Sequence, residues 1–168
     1  MIEKRDFYIN GQWVAPSEAN DFEVINPSTE EPCAVISLGA QADTDAAVAA
    51  AKAALPGWMA TPVQERIALV EKLADLYMTR SEDLAQAMSL EMGAPIDMSR
   101  TAQSGAGIYH LKNFIRAAKA FEFERPLGEH APNDRIIYEA VGVAGLITPW
   151  PWPVNQITLR VGAAAIAG

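Results

Sequence analysis

Apolar and polar positions change period several times along the chain, and each change marks a predicted element. "FYINGQWV" (7–14) alternates on either side of Asn10-Gly11. Both turn positions of a type I′ hairpin need positive φ, so this pair predicts two short strands joined by a two-residue turn. "DFEVINP" and "PCAVISL" continue as two further strands around the turn "NPSTEEP". The period then becomes helical. "TDAAVAAAKAAL" predicts an Ala-rich helix from Asp43 to about Leu55, stopped by Pro56-Gly57. Thr61, Pro62 and Gln64 read as the cap, first-turn proline and capping-box partner of a second helix. Its apolar stripe comprises Ile67, Leu69, Val70, Leu73, Leu76 and Tyr77. "SEDLAQAMSLEMG" (81–93) is a third helix closed by Gly93, and a fourth runs from about Ile96 to Phe121 through Gly105 and Gly107.

Past that point the period changes again. "FEFERP" and "DRIIYEAV" predict strands joined by the polar link "LGEHAPN" as a hairpin. "VGVAGLITP" (141–149) is apolar throughout, the pattern of a strand buried on both faces in a parallel sheet. "NQITLRVGAAAIAG" then predicts an Ala-rich helix. A parallel strand needs neighbours reached by crossovers, and few candidates are present, so the pattern reads as the opening portion of a larger α/β domain.

Composition narrows the function classes. A chain of 168 residues, half of them apolar, has enough material for one domain with a core. Its 21 acidic and 13 basic residues give a formal charge of −8, which argues against a nucleic-acid partner. No apolar run reaches membrane-span length, and "MIEKRDFYIN" lacks a signal-peptide core, so a cytoplasmic protein without a membrane partner is expected. The single cysteine, Cys33, excludes an internal disulfide and a multi-cysteine metal site.

Most candidate chemistry has a plainer reading. Cys33 lies in a predicted strand with no histidine or helix N-terminus nearby to form a thiolate, so a structural thiol is expected. His110 and His130 stand at no metal-ligand spacing, and no "GxSxG" elbow is present. "GAGIYH" (105–110) lacks the last glycine of a dinucleotide fingerprint and follows helix rather than strand. In "VGVAG" (141–145) the glycines precede the strand end, which suits close packing. Glu122 and Glu124 share one face of a predicted strand, and Glu91 closes a helix; a solvated face or edge guard explains them better than paired catalytic carboxylates. "ITPWPWPVNQ" (147–156) is different. It follows the carboxyl end of a buried strand and precedes a helix, which is where open α/β sheets bind ligands. Trp150 and Trp152 there either wall a flat aromatic ligand or close the core.

"VGVAGLITPWPWPVNQITLRVGAAAIAG" resembles the strand-turn-helix of the aldehyde dehydrogenase superfamily, and "YINGQWV", "VINPSTEE", the Ala-rich helix ending "PGW", "QERIALVEKLADL" and "LEMGAP" are similar to it in order. The resemblance spans nearly the whole chain but only about the first third of a family member. It implies an α/β fold, the N-terminal part of a Rossmann-like cofactor-binding domain. Residues 1–121 would form its first strands and helices, 122–140 the strands of an oligomerisation arm, and 141–168 the first strand-turn-helix of a truncated dinucleotide-binding sheet. It also implies oxidation of an aldehyde substrate to a carboxylic acid with NAD or NADP, through a cysteine thiohemiacetal, hydride transfer and thioester hydrolysis. Ile147, Thr148, Pro149 and Trp150 match cofactor-contacting positions.

Two matched positions depart from the family pattern. Pro151 stands where the family has an Asn whose amide donates to the developing oxyanion, and proline offers neither side-chain donor nor backbone N–H. Arg160 stands where a Lys is usual, and arginine does not readily give up a proton. Cys33 matches no catalytic position, and the resemblance places the nucleophilic Cys and the general-base Glu outside these residues. The resemblance therefore implies an oxidoreductase fragment without turnover of its own. Two other readings remain: an assembly or regulatory module that forms homo-oligomers or joins full-length homologues through 122–140, or one chain of a split enzyme.

Overall fold

The computed structural model describes residues 1–168. The Asn10-Gly11 turn forms as its chemistry requires, with φ of 52° and 76°. It joins β2 (Phe7–Ile9) to β3 (Gln12–Val14) in antiparallel register, Ile9 opposite Gln12. A separate three-stranded sheet has β5 (Glu31–Ser37) at its centre, antiparallel to β4 (Asp21–Asn26) and parallel to β1 (Ile2–Lys4). β1 carries no periodic signal in its three residues and exists because β5 offers it an edge. Ala34 and Val35 of β5 and Val24 of β4 are buried.

The helical layer departs from expectation at its first junction. Helix α1 (Gln41–Ala60) continues through Pro56 and Gly57 instead of stopping there. Its last turn is held by a tertiary bond, the Trp58 Nε1–H donating to Ala165 O at 3.2 Å, which offsets the local helix-breaking tendency. Thr61 does not cap the next helix. Its hydroxyl donates to Gly57 O at 2.9 Å and closes α1, while α2 (Val63–Thr79) starts after Pro62 with no side-chain cap. At the other end of α1, the Asp43 carboxylate accepts the Ala40 and Ser17 amide N–H groups, both at 2.8 Å, and these bonds lower its pKa.

The α2 stripe is narrower than the leucines suggest. Ile67, Val70, Ala74 and Tyr77 enter the core, whereas Leu69, Leu73 and Leu76 face outward. Helix α3 (Ser81–Met92) ends at Gly93 with φ of 76°. The predicted fourth helix is one rod in three parts: α4 (Ile96–Met98), a π-helical turn (Ser99–Gln103) and α5 (Ser104–Ala120). Arg100 of the π turn holds Glu82 of α3 in a two-oxygen pair and lowers its carboxyl pKa to about 2. Strands β6 (Glu124–Gly128) and β7 (Ala131–Ile137) form the expected hairpin, extended into "LGEHAPN". Glu124 pairs with Arg135 across it, and Glu122 lies outside the strand, so the two carboxylates do not act together. Phe121 fastens the hairpin base, its ring 4.9 Å from Phe123 and 5.0 Å from Tyr138.

The core sits between α2, α3, α5 and α6 (Pro153–Ala167), with Leu111 of α5 at 0 % exposure. Close approach depends on two glycines: Gly162 faces Leu111 and Phe114, and Gly107 faces Tyr77 and Val154. Residues 141–149 differ most from the sequence expectation. No strand forms there, and Val141 is 108 % and Ile147 88 % exposed. The apolar pattern is that of a sheet interior, but a ladder needs partners and none is in reach.

Gly107→Ala should destabilise the fold by about 1–3 kcal/mol, the usual cost of overpacking. A β-carbon there would run into the Tyr77 hydroxyl, which donates to Ser104 O at 2.7 Å. Urea unfolding of the two chains measures the difference, and an unchanged midpoint would show that the contact is soft.

Candidate functional site

The turn at 147–152 owes its position to α6, and α6 is fixed at its far end. The Arg66 side chain, 8 % exposed, donates through Nε to Ile166 O at 3.1 Å and through Nη1 to Thr61 O at 2.7 Å. A guanidinium placed at the last carbonyls of a helix complements the negative end of its dipole. With Trp58 bonded to the adjacent Ala165 O, two side chains of the preceding layer clamp α6. Its N-terminus is then carried by packing on α5.

The corner itself is strained. Trp152 has φ 54° and ψ 54°, a left-handed conformation that costs a residue with a β-carbon about 1–2 kcal/mol. Prolines flank it. Pro153 occupies the first helical position, where a missing N–H costs nothing, and Pro151 steers Trp150 away from helical angles. The first bond of the helix then runs from the Gln156 N–H to Trp152 O at 3.1 Å. Pro151 thus helps shape the corner while giving it no donor.

The structure brings Ile147, Thr148, Pro149 and Trp150 onto one solvent-open turn and encloses none of them. Behind it, a cavity of about 160 Å³ lies between Trp150, Pro153 and Val154 on one side and Leu84, Met88 and Glu91 of α3 on the other. Glu91 is half-buried there, and burial raises its pKa. Arg160 turns back on its own helix, donating through Nη1 to Gln156 O at 3.1 Å and to Gln156 Oε1 at 2.6 Å.

One polar pair escaped sequence reasoning. The His110 Nε2–H donates to Asn155 Oδ1 at 2.6 Å, tying α5 to the first turn of α6. The two residues are 45 apart in sequence, and nothing in their spacing signals a contact. His130 stays in the β6–β7 turn. Cys33 is far from this corner in the chain and structural in its contacts, its thiol donating to Val24 O at 3.2 Å within the β4–β5 pair.

Residues 13–168 match the model of the aldehyde dehydrogenase family. The chain belongs to the aldehyde dehydrogenase family. A 3-succinoylsemialdehyde-pyridine dehydrogenase of a Pseudomonas species is 40% identical over 169 residues, covering 100% of this chain and 35% of the relative. An aldehyde dehydrogenase of Bartonella henselae superposes with a TM-score of 0.97 at 51% identity, covering 99% of this chain and 35% of that one. An aldehyde dehydrogenase C mutant of Pseudomonas syringae, solved with NAD+ and octanal, gives 0.92 at 40% identity over 97% of this chain and 33% of that one. The chain spans about a third of the length of these family members. Its α/β fold is the N-terminal part of theirs. The matched residues of this chain include Cys33, the whole turn and α6.

Glu91 gives the site a pH signature. Its folded-state pKa is raised, so the folded chain holds this proton to higher pH than the unfolded chain does. The favourable contribution is complete below the unfolded value near 4.5 and disappears as pH rises through the folded value. Glu91→Gln should therefore raise the melting temperature at pH 7 and leave it nearly unchanged at pH 4. Calorimetry at the two pH values checks this, and an equal shift at both would remove titration as the cause.

Proposed function

We propose that this chain contributes one wall of the cofactor site in NAD(P)-dependent oxidation of an aldehyde to a carboxylic acid, and that its 168 residues have no turnover alone. The observation that carries the reading is the corner: an apolar segment ending in "ITPW", a left-handed Trp152 and a clamped helix. The dinucleotide, when bound, supplies the hydride acceptor. The residues present fit part of it. Trp150 offers an exposed indole, and the backbone groups from Ile147 to Trp150 are free to meet a ribose or nicotinamide amide. No lysine or arginine lies between Arg135 and Arg160 to meet a diphosphate, so that part of the ligand needs groups from elsewhere.

The chemistry is short of two groups. Covalent oxidation needs a thiolate to add to the aldehyde carbon, and Cys33 is half-buried with its thiol S–H donating to the Val24 carbonyl. The oxyanion formed by that addition needs a donor, and Pro151 supplies none. Asn155, four residues on, is engaged by His110 through its oxygen, which fixes its amide orientation but leaves it one helical turn beyond the position of Pro151.

A second reading rests on the β6–β7 hairpin. It stands apart from the core with Leu127, Ile137 and Tyr138 exposed, as an assembly arm would. The two readings are compatible, because an arm can join subunits while the corner serves the cofactor.

The test is a chimera in which residues 1–168 replace the matched third of the Bartonella henselae enzyme. The chain alone should form no NADH or NADPH from an aldehyde, the chimera should turn over weakly, and Pro151→Asn in the chimera should raise kcat by about 10²–10³, the usual worth of one oxyanion donor. Reduction of the dinucleotide by the chain alone, or no gain from Pro151→Asn in a folded chimera, would contradict the proposal.

A further inference from the structure

Of the polar side chains on α6, only Asn155 bonds to another element. Thr158, Gln156 and Arg160 all find their partners within the helix. The Asn155 Oδ1 accepts the His110 Nε2–H at 2.6 Å, while its Nδ2 donates to no other group of the chain. Apolar contacts already hold α5 against α6, with Gly162 on Leu111 and Phe114 and Gly107 on Val154. The distinctive effect of the histidine is therefore on the amide itself. With its oxygen pinned, the side chain loses rotamer freedom and its N–H pair becomes the end left to meet something else.

The place of that donor is set by the helix. A helical side chain leans toward the turn on its N-terminal side, so Asn155 covers the Trp152 end of the corner and not the middle of α6. Both members of the pair are half-buried, and the exposed Tyr109 stands edge-on to the His110 ring at 5.8 Å. The only charged residue of α6, Arg160, is turned onto Gln156. What the helix offers beside the corner is thus a fixed, neutral donor. Its chemical match is a neutral acceptor, because a carboxylate would lose hydration there without gaining a cation from α6.

We propose that Asn155 reads the substrate and that His110 is its positioning residue, so that the site favours aldehydes carrying a ketone or ether oxygen about 5 Å from the aldehyde oxygen, roughly one helical turn. The inference rests on the proposed function, in which the aldehyde oxygen lies at Pro151. An apolar aldehyde of the same length would cover the Asn155 N–H pair and leave it without a partner. One such neutral hydrogen bond is worth about a tenfold preference.

The test uses the chimera described above with 4-oxopentanal and pentanal, which share a chain length. The value of kcat/KM should be about tenfold higher for 4-oxopentanal. The difference should lie in KM, because the bond is made in bound substrate and transition state alike. Asn155→Leu should bring the two aldehydes to parity. His110→Phe should cut the preference about threefold or more, and His110→Gln, which keeps an N–H donor, should restore it. A merely structural role for the pair would move both aldehydes together. The unreactive alcohols 5-hydroxypentan-2-one and pentan-1-ol, followed by ligand-observed NMR, give the same comparison without turnover. An inactive chimera that prefers the keto alcohol would count against the proposed reaction and support the inference. Turnover with equal constants for both aldehydes would do the reverse. The inference is also overturned if the alcohols bind equally, if Asn155→Leu keeps the preference, or if His110→Phe weakens both substrates alike.

Discussion

Backbone amides and carbonyls must be paired or wet, and residues 139–151 form no backbone hydrogen bond within the chain. The rest of the molecule is arranged around this unpaired run. On its N-terminal side the β6–β7 hairpin is tied off by Phe121, Phe123 and Tyr138. On its C-terminal side α6 is clamped by Arg66 and Trp58 and packed on α5 at Gly162. Both ends of the run are therefore held while its middle has no ladder. The turn that resembles a cofactor wall lies between the open run and the clamped helix, and its geometry comes from the helix side.

That division explains how the prolines act. Pro153 sits where a helix accepts proline without loss, and it fixes the start of α6. Pro151 restricts Trp150 and removes an N–H at the point where a donor would be useful. Shape and chemistry are thus separable at this corner: the left-handed Trp152 and the helix start persist, while hydrogen-bond donation does not. The His110–Asn155 bond nearby fixes the first turn of α6 from the α5 side, so a polar contact contributes to the placement of the turn without touching it.

Elements whose cause is local were legible in the sequence. Asn10-Gly11 specifies its turn through two φ angles, and Gly93 ends α3 through one. The family resemblance was legible because "ITPW", the proline after it and the helix keep their order. What failed depended on distant partners. Pro56-Gly57 did not stop α1, because Trp58 finds a carbonyl more than a hundred residues away. Thr61 was free to serve either helix, and it closes the first rather than opening the second. Leu73 matched the stripe on α2, but the small Ala74 takes the buried position where α2 meets its neighbours. The strand expected at 141–149 has the right residues and no ladder, since side-chain pattern specifies what a strand would bury and not who pairs with it.

The arrangement of both flanking elements turns on that unpaired run, and backbone amide exchange on the chain by itself measures it most directly. At neutral pH the amides of 139–148 should exchange at close to the rate of an unstructured peptide, while those of α5 around Leu111 remain protected by the core. Strong protection across 139–148 in a monomer would contradict the account, because it would require hydrogen bonds that the fold described above does not contain.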